Sequence, residues 1–253
     1  SEAITGILRE QEAQVVINAA AYTAVDKAES EPEQAIAGNV TGPGVLATAC
    51  AQAHCRLIHV STDFVFDGAA SEPYTPASAT SPLGVYGQTK RDGETAVMSA
   101  LADVLIVRTG WVYSSHGSNF VKTMLRLMSE REELSVVADQ VGTPTWAAGL
   151  AEVLWVFAVR PDLAGIYHWS DAGVCSWYDF AVAIQEEGEL RGLLKRAVPL
   201  TPIPALAYPT PARRPAYSVL DKSATWSDLD IKGVHWRVQL RAMLEQLQEN
   251  THV

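Results

Sequence analysis

Tyr86 and Lys90 stand four residues apart in the stretch Val85–Glu94, VYGQTKRDGE. On a helix that spacing places both side chains on one face, a turn apart. A phenol beside an ammonium suits the reduction of a ketone, in which a proton reaches the oxygen as hydride reaches the carbon. A free tyrosine titrates near ~10, and a nearby ammonium favours the phenolate, so the spacing predicts that Lys90 lowers the Tyr86 pKa. The spacing alone decides little, because 8 Tyr and 6 Lys in 253 residues make about 0.2 such pairs by accident. Its weight comes from what converges on it.

Short runs rich in β-branched residues alternate with helix-like segments around the pair. Ala13–Ala21 (AQVVINAAA), Arg56–Ser61 (RLIHVS) and Val104–Thr109 (VLIVRT) read as strands. Glu33–Ala53, interrupted by Gly42-Pro43-Gly44, reads as helical, as do Pro82–Leu101 and Asn119–Arg131. Ser81 is the expected N-cap of the Tyr86 helix, with Pro82 at its first position. The alternation predicts an α/β fold, a Rossmann-like parallel sheet with helices on both faces. Ligands of such sheets bind outside the carboxyl ends of the strands. The first strand ends there in Asn18-Ala19-Ala20-Ala21 and Tyr22-Thr23, the second in Ser61-Thr62-Asp63, the third in Thr109-Gly110-Trp111. A Thr62 hydroxyl can donate to the substrate oxygen that Tyr86 protonates, and an indole such as Trp111 can pack on a sugar or nicotinamide ring.

After Val141 the texture changes, and a soft boundary near residue 142 divides the chain. Residues 1–142 read as a partial dinucleotide-binding domain, and 143–253 as a smaller C-terminal substrate domain interleaved with it. Gly165–Trp169 reads as a strand, Trp177–Glu187 and Val238–Gln248 as helices, and Pro202–Asp221 as a loop too rich in proline for regular structure. A formal charge of -10 disfavours a nucleic-acid partner. No apolar run reaches the ~18 residues of a membrane span. Three cysteines without a CxxC pair read as buried thiols of a reducing cytoplasm. No histidine spacing suggests a metal. Asp26–Glu33 (DKAESEPE) reads as a solvated helix start, and His59 and His168 as satisfied core residues. Residues 1–12 look like the end of a helix. No Gly-rich strand-to-helix turn precedes Gln14, so further residues are expected upstream of Ser1.

Ser61-Thr62-x-x-x-Phe66 followed by Tyr86-x-x-x-Lys90 resembles the extended short-chain dehydrogenase/reductases. Asn18–Glu33 (NAAAYTAVDKAESEPE), Ser61–Gly68 (STDFVFDG), Pro82–Lys90 (PLGVYGQTK), Arg108–Tyr113 (RTGWVY), Asn119–Leu127 (NFVKTMLRL) and Tyr208–Pro215 (YPTPARRP) resemble, in order, the dTDP-4-dehydrorhamnose reductase family among them. The resemblance implies reduction of the 4-keto group of dTDP-4-dehydro-L-rhamnose by NADPH, with NADH as the alternative donor. It implies Thr62, Tyr86 and Lys90 as the catalytic triad, with Tyr86 giving the proton and Lys90 holding the nicotinamide ribose. Ala20, Ala21 and Ser61 would join Tyr86 and Lys90 along the cofactor. Thr23, Val25, Asp63, Trp111 and Asn119 would face the nucleotide sugar, and the Arg213 and Arg214 guanidiniums suit its diphosphate. Phe64 stands where the family often has tyrosine. The family's Gly-rich turn lies outside these residues, so a chain beginning at Ser1 is expected to hold NADPH weakly. A reductase or epimerase of another nucleotide-linked deoxysugar, or a non-catalytic regulatory homologue, are the alternatives. A cytoplasmic location and a homodimer are compatible with this reading. Mg2+ dependence is not legible in the residues.

Overall fold

Short buried strands and the helices that cross between them set the frame that carries Tyr86. The structure, a computed structural model, describes residues 1–251, with side chains as far as Glu249. In chain order the elements are α1 (Glu2–Glu10), β1 (Val15–Asn18), α2 (Val25–Ala28), α3 (Pro32–Ile36), α4 (Gly42–Ala53), β2 (Arg56–Thr62) and α5 (Val85–Ala100). There follow β3 (Leu105–Thr109), β4 (Val112–Tyr113), α6 (Phe120–Glu130), β5 (Leu134–Val137), β6 (Val141–Gly142), β7 (Thr145–Trp146), α7 (Ala147–Ala158) and β8 (Gly165–His168). The remainder comprises β9 (Cys175–Ser176), α8 (Trp177–Leu190), β10 (Leu200–Ile203), α9 (Ser223–Leu229) and α10 (Trp236–Thr251).

β1, β2, β3 and β8 form one parallel sheet in that spatial order. Because strand side chains alternate between faces, Leu57 and Ile106 pack with Ala47, Cys50 and Val97 of α4 and α5. Ile58, Leu105 and Val107 point the other way, onto Leu150, Leu154 and Phe157 of α7. Helices thus cover both faces, which is why β2 and β3 are apolar almost throughout. A separate core, with Met124, Met128, Phe180, Ile184, Leu240 and Leu244 in it, joins α6, α8 and α10 to β5. The outer side of β1 pairs with no strand among the described residues, and Val15–Ile17 are half-buried. Cys50, Cys55 and Cys175 are buried free thiols. Among the described residues no helix is long and apolar enough to cross a membrane.

Three local expectations are corrected. The Tyr86 helix begins at Val85 with Gly84 as its cap residue, rather than at Pro82 behind Ser81. Ser81 instead donates its N–H to the Val65 carbonyl (2.9 Å), and the Val85 N–H is taken by the Glu29 carboxylate (2.9 Å), so a distant acid does the work of a local cap. Gly42-Pro43-Gly44 does not interrupt a helix. A π-helical turn over Ala37–Thr41 runs directly into α4, where a proline near the start needs no donor. Pro202–Asp221 is not wholly irregular either. Pro202 lies in β10, paired in parallel with β5, a two-stranded ribbon whose edges tolerate a missing N–H. Single bridges from Tyr217 to Val141 and from Leu220 to Tyr74 pin the rest.

Candidate active site

Thr62 ends β2, and Tyr86 sits in the first turn of α5, where the following crossover begins. The Thr62 hydroxyl is close enough to the phenol to act on its pKa. The edge of the Phe64 ring packs on the Tyr86 ring at 5.4 Å and 77°, so Phe64 steadies the phenol by contact rather than by a hydrogen bond. Desolvation pushes the Tyr86 pKa up to about 12; the Thr62 hydrogen bond lowers it and the Asp63 charge raises it. The predicted lowering by Lys90 is not among the effects on Tyr86. Lys90 is itself buried and donates from Nζ to the Val60 carbonyl at 2.8 Å. Burial brings the ammonium down to about 8, against the pull of the Glu94 carboxylate.

Glu94 is the part of this arrangement that residue-type reasoning passed over. It lies one turn beyond Lys90 on α5 and accepts from Arg108 through both oxygens (Nε 2.9 Å, Nη2 2.7 Å), with both side chains buried. Ser61 donates its hydroxyl to the same carboxylate. The Ser61 hydroxyl is therefore engaged by Glu94. The signal was present in two places: Tyr86, Lys90 and Glu94 repeat every four residues, and Arg108 interrupts the apolar strand VLIVRT. A charge inside a strand covered on both faces requires a buried partner.

The acidic stretch after Thr23 is also more than a solvated helix start. Asp26 forms a fork with Arg214 (3.0 and 2.8 Å) and accepts the Ala212 N–H, tying α2 to the C-terminal loop. Glu29 caps α5, and Glu31 accepts from the Tyr22 hydroxyl (2.7 Å). Asn39, fully buried in the π turn, accepts the Tyr22 N–H and donates to the Tyr22 carbonyl and to Thr89 on α5. Together these bonds hold the Tyr22–Val25 loop against the helix that bears Tyr86. Thr23 is exposed and Val25 half-exposed in that loop.

The other expected ligand residues are distributed as follows. Ala20 is exposed and Ala21 half-exposed beyond β1. Trp111 has a left-handed backbone (φ 52) and stacks on Trp177 at 3.5 Å, with its indole against Gly142. Asn119 caps α6, accepting the Lys122 N–H and donating to the Ser114 carbonyl (2.6 Å). Arg214 is engaged by Asp26, whereas Arg213 is exposed and makes no ion pair among the described residues. Asp63 is buried beside Thr62, and desolvation raises its carboxyl to about 6. His59 and His168 each have one ring nitrogen bonded and Nε2 without a partner, so their satisfaction is only half met. Burial lowers each imidazole to about 3, which keeps both neutral.

Gly87 shows how close the Tyr86 turn lies to the end of β2. A Cβ there would fall 2.2 Å from the Phe64 carbonyl oxygen and 3.0 Å from Pro82 Cβ. Gly87→Ala is expected to destabilise the fold by about 1–3 kcal/mol, because α5 must retreat from the turn after Thr62. Urea unfolding checks the loss, and a fall in kcat at unchanged secondary structure checks the displacement of Tyr86.

The residues fit a dinucleotide at this edge. Lys90 spends one of its three N–H groups on Val60, and the alanines after β1 offer a surface with no side chain beyond Cβ. Among the described residues no three His, Cys, Asp or Glu side chains are grouped as a metal site requires.

The family profile of the RmlD substrate binding domain matches residues 1–249. The chain is 42% identical over 256 residues to the dTDP-4-dehydrorhamnose reductase of Escherichia coli K12, covering 100% of this chain and 86% of that protein. The crystal structure of a dTDP-4-dehydrorhamnose reductase from Clostridium acetobutylicum superposes with a TM-score of 0.90 at 40% identity, covering 98% of this chain and 85% of that one. A Bacillus anthracis dTDP-4-dehydrorhamnose reductase solved in complex with NADP also gives a TM-score of 0.90, at 34% identity over 97% of this chain and 85% of that one.

Proposed function

The chain belongs to the dTDP-4-dehydrorhamnose reductase family, an NADP-dependent oxidoreductase of nucleotide-sugar synthesis, and on that premise we propose that it reduces dTDP-4-dehydro-L-rhamnose to dTDP-L-rhamnose with Tyr86 as the proton donor. The observation that carries the assignment of Tyr86 is its position: a desolvated phenol against the Thr62 hydroxyl, at the carboxyl edge of a parallel sheet. Bound NADPH supplies the hydride for C4. Everything else falls to the chain.

Tyr86 remains a protonated phenol through the neutral range, since its pKa is raised to about 12, and a protonated phenol is the form that can donate. A keto oxygen placed against Tyr86 and Thr62 gains a proton as its carbon is reduced, and the product is an alcohol. Lys90 has two N–H groups left for the ribose hydroxyls of NADPH, and its charge then opposes the rise in the Tyr86 pKa as the phenolate forms. The Glu94–Arg108 pair holds the segment from Ser61 to Lys90 in register. Of the two adjacent arginines, Arg213 is the one whose guanidinium is unengaged among the described residues and suited to the diphosphate.

The test is turnover. Mixing the protein with NADPH and dTDP-4-dehydro-L-rhamnose is expected to consume NADPH absorbance in step with dTDP-L-rhamnose measured by mass spectrometry. Turnover of a different nucleotide-linked keto-sugar, with none of this one, would overturn the substrate assignment.

A further inference from the structure

Thr62 Oγ1 has one proton to give, and both Asp63 and Tyr86 compete for it. The hydroxyl accepts the Phe64 N–H (3.2 Å) and donates to Asp63 Oδ1 (3.1 Å). With its proton on Asp63 it has one lone pair toward Tyr86 and no donor, whereas the hydrogen bond that lowers the Tyr86 pKa needs that same proton. In this state Thr62 cannot assist a keto oxygen, which needs hydrogen-bond donors as charge develops on it.

Asp63 is the other half of the arrangement. Its side chain is 1% exposed, and Oδ2 has no hydrogen-bond partner. Gly110 closes over the carboxyl so tightly that a Cβ there would lie 2.6 Å from Oδ2. No cation among the described residues acts on it. Among the described residues the groups that face it are the Thr62 hydroxyl, its own N–H and the Phe64 N–H from its own turn, and Ser218 from the C-terminal loop, all of which favour the carboxylate against the larger effect of desolvation, with the Tyr86 phenol from α5 as its titratable neighbour. A carboxylate buried with one oxygen unpartnered and no cation nearby is costly, whereas a neutral acid there loses far less. The same device, an aspartic acid kept neutral by an apolar setting so that it can donate, is known from oxyanion sites elsewhere.

We propose that Asp63 is a positioning residue that sets the direction of the Thr62 hydroxyl. As the neutral acid it donates from Oδ1 to Thr62 Oγ1, which frees the Thr62 proton for the substrate oxygen. As the carboxylate it captures that proton and leaves Thr62 an acceptor only. No proton is lost or gained in the relay beyond the one that Asp63 carries. This role rests on the reductase reading above, since Thr62 acts through the keto oxygen. Burial, which raises the Asp63 carboxyl to about 6, agrees with it, and a substrate closing over the site removes more water and extends the acid form upward.

Two measurements test the proposal. In the wild type, kcat/KM for the keto-sugar is expected to fall by about tenfold per pH unit once Asp63 ionises, with the corresponding fall in kcat displaced to higher pH. Asp63→Asn cannot ionise and is expected to lose that limb. Thr62→Val, which has no hydroxyl to redirect, is expected to lose it too and serves if Asp63→Asn does not fold. A merely structural Asp63 would leave the limb in place in the folded variants, and that result overturns the proposal. The second measurement needs no turnover. The infrared difference between wild type and Asp63→Asn is expected to contain a protonated-carboxyl stretch that persists above the ordinary aspartate range. Its absence in an active enzyme sinks the relay, whereas its presence in a protein that reduces no keto-sugar sinks the reductase reading alone.

Discussion

Tyr86→Phe is expected to lower kcat for keto-sugar reduction by about 10²–10⁴-fold while KM changes little. The substitution removes one oxygen from a ring that the Phe64 edge already holds at 5.4 Å, so the helix turn and the surface offered to substrate stay as they are. What disappears is the proton that meets the developing alkoxide. The raised pKa of about 12 makes a second feature of the result specific: the wild-type phenol stays protonated through the neutral range, so Tyr86 itself imposes no alkaline limb there. Steady-state kinetics with thermal unfolding as a control check both points. A variant that keeps more than a tenth of the wild-type kcat would transfer the proton-donor role to another group or to water.

Glu94→Ala is expected to cost about 3–5 kcal/mol of folding stability, the largest single effect on the fold foreseen for the chain. The Arg108 guanidinium would remain buried with its main acceptor gone, since its remaining hydrogen bond, to the Pro76 carbonyl, is long at 3.4 Å. Ser61 would lose its acceptor as well. The cost is that of an uncompensated buried cation rather than the net worth of the pair, and the distinction is testable. Glu94→Ala combined with Arg108→Met is expected to recover much of the loss, because a paired deletion leaves no stranded charge. Urea titration of the two variants measures the difference. A loss below about 1 kcal/mol for Glu94→Ala would show that water reaches Arg108, contrary to its burial.

The same pair shows which features were legible in the chain itself. Four-residue spacing placed Tyr86 and Lys90 on one helical face, and the apolar strands RLIHVS and VLIVRT could be read as buried on both sides because nothing else tolerates such runs. Helix ends were less legible. Ser81-Pro82 has every local mark of a start, yet α5 begins at Val85 because Glu29, which lies 56 positions earlier in the sequence, takes the Val85 N–H. Local propensity carries no information about an acceptor that arrives from another loop. Gly42-Pro43-Gly44 misled for the opposite reason: a π turn widened to suit the packing of Asn39, and the helix ran through.

Residue types and order determined the α/β class, the strand end that carries Thr62, and its grouping with Tyr86 and Lys90, since these follow from period and topology alone. Only the tertiary structure decided which charges are spent. Arg213 and Arg214 are equivalent in the sequence, but Asp26 claims Arg214, and Ser61 looks available for a cofactor until Glu94 takes its hydroxyl. The sign of the Tyr86 shift was likewise decided in three dimensions. Spacing supplied a lysine one turn away, but burial removed water from the phenol while the ammonium turned to the Val60 carbonyl. Desolvation depends on everything packed around a group, and a one-dimensional spacing contains none of it.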